Sequence, residues 1–263
     1  MIQNRPGRYL LDDAGLTELR SFVDAGTLLA FDLDGTLAPI VADPSAIVIP
    51  GHIQESMARL CAMATVVILT GRGREDALSF LGFEPCMVVG NHGAEGLPGW
   101  EEREREFREL CAGWKQQLHL SLAGTSSGIF LEDKRLSLSL HYRNAAGRGE
   151  AFATIIEAIG ALVPAPERIS GKFVENVVPR GAPRKGRALL DTLRYLGTGR
   201  ALYVGDDATD EDVFRLRNER IFGVRVGASS STAADYYLKD QQEIDRVLRE
   251  IIDILSHPSC DAA

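Results

Sequence analysis

Two aspartates two residues apart, at the end of an apolar run, are the side chains in this sequence best placed to do chemistry. The run LLAF leads into Asp32, and Asp34, Gly35 and Thr36 follow at once. In a strand, positions i and i+2 face the same way, so the two carboxylates stand roughly 6.6 Å apart along one side. The carboxyl end of a strand in an open parallel sheet is where ligands bind. Two acids there repel each other unless a cation or a shared proton holds them. A turn in which Asp and Gly merely supply loop chemistry is the competing reading.

Three further segments favour the first reading. GDDATDED, Gly205 to Asp212, follows the apolar run ALYV and packs several acids together, which again requires positive charge. Oxygen-rich clusters of this kind suit Mg²⁺. Asp206 is expected as a metal ligand, with Asp207 and Asp210 in support, although Thr209 and Asp210 are also good helix N-cap types. The run TVVILT delivers Thr70, Gly71 and Arg72, a hydroxyl and a backbone N–H that suit a phosphate-sized anion at a helix start. Lys185 opens another helix, where a cation opposes the helix dipole and calls for an anion nearby.

These groups need elements to hold them. Apolar β-branched runs at Leu28–Asp32, Val66–Thr70, Met87–Val89, Ala201–Gly205 and Ile221–Val226, with an edge run at Tyr236–Lys239, alternate with helical patterns. The helices are expected at His52–Ala64, Arg74–Leu81, Lys185–Leu196, Asp210–Leu216 and Gln241–Leu255. This is the pattern of an α/β protein with a Rossmann-like parallel sheet core, its strands buried on both faces. Between them lies a different stretch: a charged helix at Glu101–Leu122, strand-like runs at Gly128–Lys134 and Leu136–Tyr142, a helix at Glu150–Leu162, and a strand-like run at Ile169–Val178. Alternation such as LSLSLHY suits an antiparallel sheet with one open face. The expected organisation is a core of residues 1–96 plus 181–263 with an inserted α+β cap domain of residues 97–180.

Composition narrows the function further. The 263 residues are 45% hydrophobic and 25% charged with a formal net charge of -8, which disfavours nucleic-acid binding. Cys61, Cys86, Cys111 and Cys260 form no C-x-x-C pair, so zinc-knuckle and thioredoxin-like chemistry are not expected, and Cys61 and Cys86 read as core packing. No signal-peptide or membrane-length apolar run appears, and a monomeric cytoplasmic protein is expected. GTSSG at Gly124–Gly128 matches the nucleophile-elbow pattern, but a helix precedes it and a strand-like run follows, the reverse of what that motif needs. A glycosidase would place its acids across a scissile bond and would not require Lys185 or the acidic cluster.

Taken in order, the four segments resemble the haloacid dehalogenase superfamily of phosphohydrolases. The resemblance implies Asp32 as nucleophile, Asp34 as general acid and base, Thr70 and Lys185 as phosphate-orienting groups, and Mg²⁺ held by Asp32, Asp34 through its carbonyl, and Asp206, with Asp207 beside them. VVGNHGAEG, SLHYRNA, GKFVE and GDDATDE narrow it to the trehalose-6-phosphate phosphatase family. That likeness implies Mg²⁺-dependent hydrolysis of a small-molecule sugar phosphate, trehalose 6-phosphate, to trehalose and phosphate through an aspartyl phosphate, with a cap domain that closes over the core and grips the disaccharide. Gly71, Arg72, Asn91, His92, Glu95, His141, Arg143, Lys172, Glu175 and Asn176 are then expected to bind substrate. One departure stands out. The family pattern places a glutamate four residues past the lysine of the Gly-Lys pair and then an arginine before proline; here those positions hold Asn176 and Val178, with Glu175 one residue early. Either a bulge re-aims Glu175, Asn176 takes over the hydroxyl contact, or the sugar differs. Phosphatases of another sugar or pseudo-disaccharide phosphate, and a silent sugar-phosphate-binding protein, are the alternatives.

Overall fold

The computed structural model describes residues 7–41, 43–124 and 128–257. In chain order the elements are β1 (Arg8–Tyr9), α1 (Asp13–Phe22), β2 (Thr27–Phe31), α2 (Gly51–Met63), β3 (Val66–Leu69), α3 (Arg74–Phe80) and β4 (Met87–Val89). Next come α4 (Glu101–Ser121), β5 (Phe130–Asp133), β6 (Leu138–His141), α5 (Arg148–Gly160), β7 (Glu167–Gly171) and β8 (Val174–Val178). The chain ends with α6 (Lys185–Leu196), β9 (Arg200–Gly205), α7 (Glu211–Phe214), β10 (Ile221–Val226), β11 (Tyr236–Leu238) and α8 (Ile244–Ser256). Two compact units result: residues Met1–Gly96 with Pro183–Ala263, and residues Leu97–Ala182.

The first unit is a seven-stranded parallel sheet in the order β1-β11-β10-β9-β2-β3-β4. Every residue of β2 and β3 is buried, as expected of strands covered on both faces. On one face, Leu29, Phe31, Ile68, Leu202 and Val204 form a core with Leu19 of α1, Ile53 and Met57 of α2, and Val247 and Ile251 of α8. On the other face Tyr203 meets Phe214 of α7 edge-on, with ring centroids 5.8 Å apart. Successive strands run outward from β2 toward β4, whereas β9, β10 and β11 run outward the other way. The strand order therefore reverses between β2 and β9, and a crevice at their carboxyl ends is the place where such sheets bind ligands.

The second unit is a four-stranded antiparallel sheet, β5-β6-β8-β7. Trp114 and Leu118 of α4 and Ile155 of α5 pack with Leu138, Leu140 and Val177, so the helices cover one face. Trp114 donates its indole N–H to the Pro164 carbonyl at 2.7 Å, which satisfies the polar end of a buried aromatic.

Three expectations are corrected. Residues 169–178 are two strands, β7 and β8, joined by a tight turn at Lys172 and Phe173, where Phe173 takes a φ of 63°. An N-terminal strand and helix precede the expected elements, with Asp12 capping α1 by accepting from the Gly15 N–H at 2.7 Å. Cys86 is exposed, next to the edge strand β4, whereas Cys61, half-buried, does pack against the core; Cys111 is the buried thiol. Thr125–Ser127 of the GTSSG pattern and Cys260 lie outside the described residues.

Candidate active site

Asp32 follows the last residue of β2, and its N–H donates to the Val204 carbonyl of β9 at 2.9 Å, which closes the last rung of the β2–β9 ladder. That bond fixes the backbone of Asp32 at the crossover point of the sheet. Its side chain is buried and takes one hydrogen bond, from Lys185 Nζ to Oδ1 at 2.9 Å. Lys185 Nζ also donates to Asp210 Oδ1 at 2.7 Å. The anions that a lysine at a helix start requires are therefore these two carboxylates. Two of its three hydrogens are used, leaving the third for a further acceptor.

Electrostatics in this cluster are dominated by burial and an excess of acid. Burial, with the charges of Asp210, Asp206 and Asp207, pushes Asp32 well above the usual carboxylate range against the pull of Lys185. Burial works against the Lys185 ammonium, yet Asp210 and Asp32 outweigh it and hold the lysine above its ordinary value. Asp206, also raised by burial and then by Asp210 and Asp207, reaches about 7. A cluster that must borrow protons to stay neutral is one that has room for another cation.

The residues present fit a divalent ion. Oxygens of Asp32, Asp206 and Asp210 lie within 4.8 Å of one another. Asp210, however, has no lone pair to spare. Its Oδ1 accepts from Lys185 and from the Tyr203 hydroxyl, and its Oδ2 accepts from the Asp206 and Asp207 N–H groups at 2.8 and 2.9 Å. Asp210 is the post that ties Lys185 to the β9 loop. Asp206 Oδ1, by contrast, is buried without a hydrogen-bond partner. Gly35 is shaped around this same carboxylate: its φ is +82°, and a Cβ there would lie 2.2 Å from Asp206 Oδ2. An orphaned carboxylate oxygen beside the Asp34–Gly35 backbone, with Asp32 Oδ2 unbonded among the described residues, is a hard-oxygen set of the kind Mg²⁺ takes.

Other expected site residues fall into place around this centre. Thr70 is buried, and its hydroxyl oxygen accepts the Arg72 N–H at 3.2 Å, which leaves the hydroxyl hydrogen for an anion. Gly71 packs against the His92 ring so closely that a Cβ would lie 2.3 Å from it. Glu95 and Asn91 serve the same loop: Glu95 Oε2 accepts from the Asn91 amide and from the Arg74 N–H at the start of α3, both at 2.7 Å. Glu95 thus holds the turn beside Thr70, where a sugar-gripping role was expected.

Three expected residues point elsewhere than anticipated. The Asp34 carboxylate is bound at both oxygens by Arg72, at 2.6 and 2.7 Å, and is not among the clustered acids. Asp207 Oδ1 accepts from the Thr209 N–H and hydroxyl and from the Asp210 N–H, so this exposed residue turns its carboxylate into its own loop; against partial desolvation, Lys185 and these bonds hold it down at about 2. In the second unit, β8 pairs with both neighbours in unbroken register, and Glu175 lies opposite Leu140 and Ser170 on the helix-covered face. It is buried and accepts from the Ser170 hydroxyl at 2.7 Å. No bulge re-aims it. Asn176 occupies the opposite face, where its Oδ1 accepts from Ser139 and its amide donates to the Ile169 carbonyl. On the same face His141 pairs with Glu132 at 2.8 Å, whereas Arg143 and Lys172 are exposed. Tyr203 was not anticipated; inside an apolar strand its ring reads as core, and only its hydroxyl, on Asp210, belongs to the site.

A family model described as trehalose-phosphatase matches residues 30–242, from within β2 to just before α8. The chain belongs to the trehalose-phosphatase family. It is 30% identical to a probable trehalose-phosphate phosphatase of Oryza sativa, covering 84% of this chain and 68% of the relative. With trehalose-phosphate phosphatase B of Arabidopsis thaliana it shares 28% identity over 86% of this chain and 66% of the relative. The chain thus spans about two thirds of the length of these plant relatives. A solved trehalose-6-phosphate phosphatase related protein superposes with a TM-score of 0.73 at 22% identity, covering 88% of this chain and all of the other, which speaks for the shared fold. Membership in the trehalose-phosphatase family, within the haloacid dehalogenase superfamily, makes this protein an enzyme of the phosphoric monoester hydrolase class.

Proposed function

We propose that this trehalose-phosphatase family member hydrolyses trehalose 6-phosphate to trehalose and phosphate in two displacements, with Asp32 as the nucleophile. The observation that carries the reading is the buried Asp32–Lys185–Asp210 chain beside the orphaned oxygen of Asp206. Asp32 Oδ2, unbonded among the described residues, attacks phosphorus, and the bond between phosphorus and the sugar oxygen breaks. Asp34 gives its proton to that leaving oxygen. A water molecule, deprotonated by Asp34, then attacks the aspartyl phosphate and releases phosphate with Asp32 restored. Asp32, the Asp34 carbonyl and Asp206 would hold Mg²⁺, which supplies neutralisation of charge on the phosphoryl oxygens. Lys185, with one hydrogen unused, and the Thr70 hydroxyl orient the same oxygens. Arg143 and Lys172, exposed on the second unit, are proposed contacts for the sugar.

The test is phosphate release from a panel of sugar phosphates, with Mg²⁺ and then with a chelator. Preference for trehalose 6-phosphate is expected, together with loss of turnover on chelation. Much faster cleavage of glucose 6-phosphate or another monosaccharide ester would rule out the disaccharide. Asp32→Asn is expected to abolish activity in a folded protein, and an active variant would end the covalent route. A second reading, a different disaccharide or pseudo-disaccharide phosphate, draws on one observation. The sheet face away from α4 and α5 carries the amide of Asn176 where the family pattern has a carboxylate, and Glu175 is turned to the helix-covered side.

A further inference from the structure

Arg72 ends a segment whose hydroxyl and backbone amide suit a phosphate, and its guanidinium is of the right type to join them. Its contacts lead elsewhere. Nε and Nη2 donate to Asp34 Oδ2 and Oδ1 at 2.6 and 2.7 Å, and Nη1 donates to Asp76 Oδ2 at 2.9 Å. The guanidinium carbon lies 4.8 Å from the centre of the Phe80 ring. Asp76 and Phe80 are one turn apart on α3, so the helix fixes the guanidinium plane, and that plane in turn fixes a carboxylate. The side chain of Arg72 is 10% exposed and that of Asp34 40%. A carboxylate this exposed, on a loop and with no other side-chain partner among the described residues, has few neighbours to define its rotamer. A planar two-point pair defines both its position and its orientation, which a point charge would not do.

We propose that Arg72 is a positioning residue that acts through Asp34, setting where that carboxyl group meets the leaving oxygen, and that it does not grip the phosphate. The inference rests on the proposed role of Asp34 as acid. One oxygen of Asp34 leaves the pair to deliver its proton while the other stays tethered. Misplacing a catalytic group by about 1 Å is enough to cost on the order of 100-fold in rate.

Leaving groups separate the two roles. A sugar alkoxide departs only with a proton, whereas p-nitrophenolate departs without one. The ratio kcat/KM covers steps only up to departure of the leaving group, so the later action of Asp34 on water does not enter. Arg72→Gln is expected to lower kcat/KM for trehalose 6-phosphate by about 10- to 100-fold and for p-nitrophenyl phosphate by under about 3-fold. Arg72→Lys should fall between Arg72→Gln and the parent enzyme. Asp76→Asn, which removes one support of the guanidinium without touching Asp34, should give the same selective pattern more weakly, and guards against misfolding of the Gln variant. Binding of inorganic phosphate with Mg²⁺ present, measured by calorimetry, should be unchanged in Arg72→Gln. In an Asp34→Asn background the Gln substitution should add nothing further.

Equal losses on both esters with weakened phosphate binding would overturn the proposal, as would additive losses in the Asp34→Asn background. Asp34→Asn itself tells the two failures apart. If it does not discriminate between the esters, the acid role of Asp34 is wrong and the Arg72 proposal falls with it. If it discriminates and Arg72→Gln does not, only the Arg72 proposal fails.

Discussion

Replacing Lys185 by Met should destabilise the parallel-sheet unit severely, and the structure sets the size of the effect. The lysine side chain is 1% exposed, and the carboxylates it joins are 6% and 0% exposed at Asp32 and Asp210. Two further acids, Asp206 and Asp207, act on the same cluster. Met fills similar volume, so little cavity is created and the loss is chiefly electrostatic. Removing one partner of a buried ion pair costs about 3–5 kcal/mol, because an uncompensated charge stays behind. For a chain of this size each kcal/mol moves Tm by roughly 2–4 °C, so a drop of about 6–20 °C is expected. Scanning calorimetry on the full chain with chelator present is the assay. Lys185→Met/Asp210→Asn, which removes one stranded anion as well, should recover part of the loss. A single variant within 2 °C or so of the parent, or a double variant no more stable than the single one, would refute the view that unpaired buried charge sets the energetics here.

Four other outcomes are expected of the same molecule. In chelator, stability should fall as pH rises from about 4 toward 7: folding raises Asp206 from 3.8 to about 7, so its contribution is full below the unfolded value and is lost through the folded one. Roughly three pH units bound that contribution at about 4 kcal/mol; Mg²⁺ should therefore raise Tm more at pH 8 than at pH 5.5, and an equal shift at both would count against Asp206 as a ligand. Gly35→Ala should cost about 1–2 kcal/mol from its φ alone, and should also abolish the Mg²⁺-induced Tm shift, since its Cβ would sit 2.2 Å from the Asp206 carboxylate. Trp114→Ala is expected to destabilise the second unit by about 3–5 kcal/mol, seen as faster amide exchange in α4 and α5; unchanged exchange there would show that Trp114 is not central to that core. Iodoacetamide at pH 8 should label exposed Cys86 well before Cys111, whose thiol is pushed up to about 12 by burial, and peptide mapping would expose the reverse order.

The groups that act at strand ends were legible because strand geometry is local. An apolar run ending in a polar residue announces both its burial and the point where that side chain emerges, and β2, β3 and β9 deliver Asp32, Thr70 and Asp206 in this way. Lys185 was legible for a different reason, the mismatch between a cation and the helix start it occupies. What stayed hidden depends on pairing across sequence distance. Tyr203 counts as apolar in any periodicity argument, and its hydroxyl acquires meaning only because Asp210 lies beneath it. The sequence already favours Asp206 over Asp210 as the ligand, but the reason appears only when lone pairs are counted, since four donors saturate Asp210 and an oxygen of Asp206 is left bare. The α1 helix was hidden too, its apolar stripe being short, with Leu16 and Leu19 buried among polar neighbours.

Parity in β8 is the clearest case of this limit. Reading 169–178 as one strand assigns faces by counting from an arbitrary start, and an error of one residue exchanges Glu175 and Asn176. The true count begins at the Lys172–Phe173 turn, because that turn sets which residues of β7 and β8 stand opposite each other. Once Ser170 faces Glu175 and Ile169 faces Asn176, and Leu140 of β6 faces Glu175 as well, the helix-covered side is fixed by Leu140 and Val177 in the core. A carboxylate on that side must be satisfied internally, and Ser170 with Arg168 does so. Moving the acid back to position 176 would therefore be more than a conservative exchange. Asn176→Glu would set a carboxylate against the Ile169 carbonyl, which now accepts from the amide, while Ser139 could still donate to it. The side chain would have to turn away from Ile169 to escape that repulsion, and the face away from the helices would gain a charged acceptor in place of a neutral amide whose oxygen already accepts from Ser139.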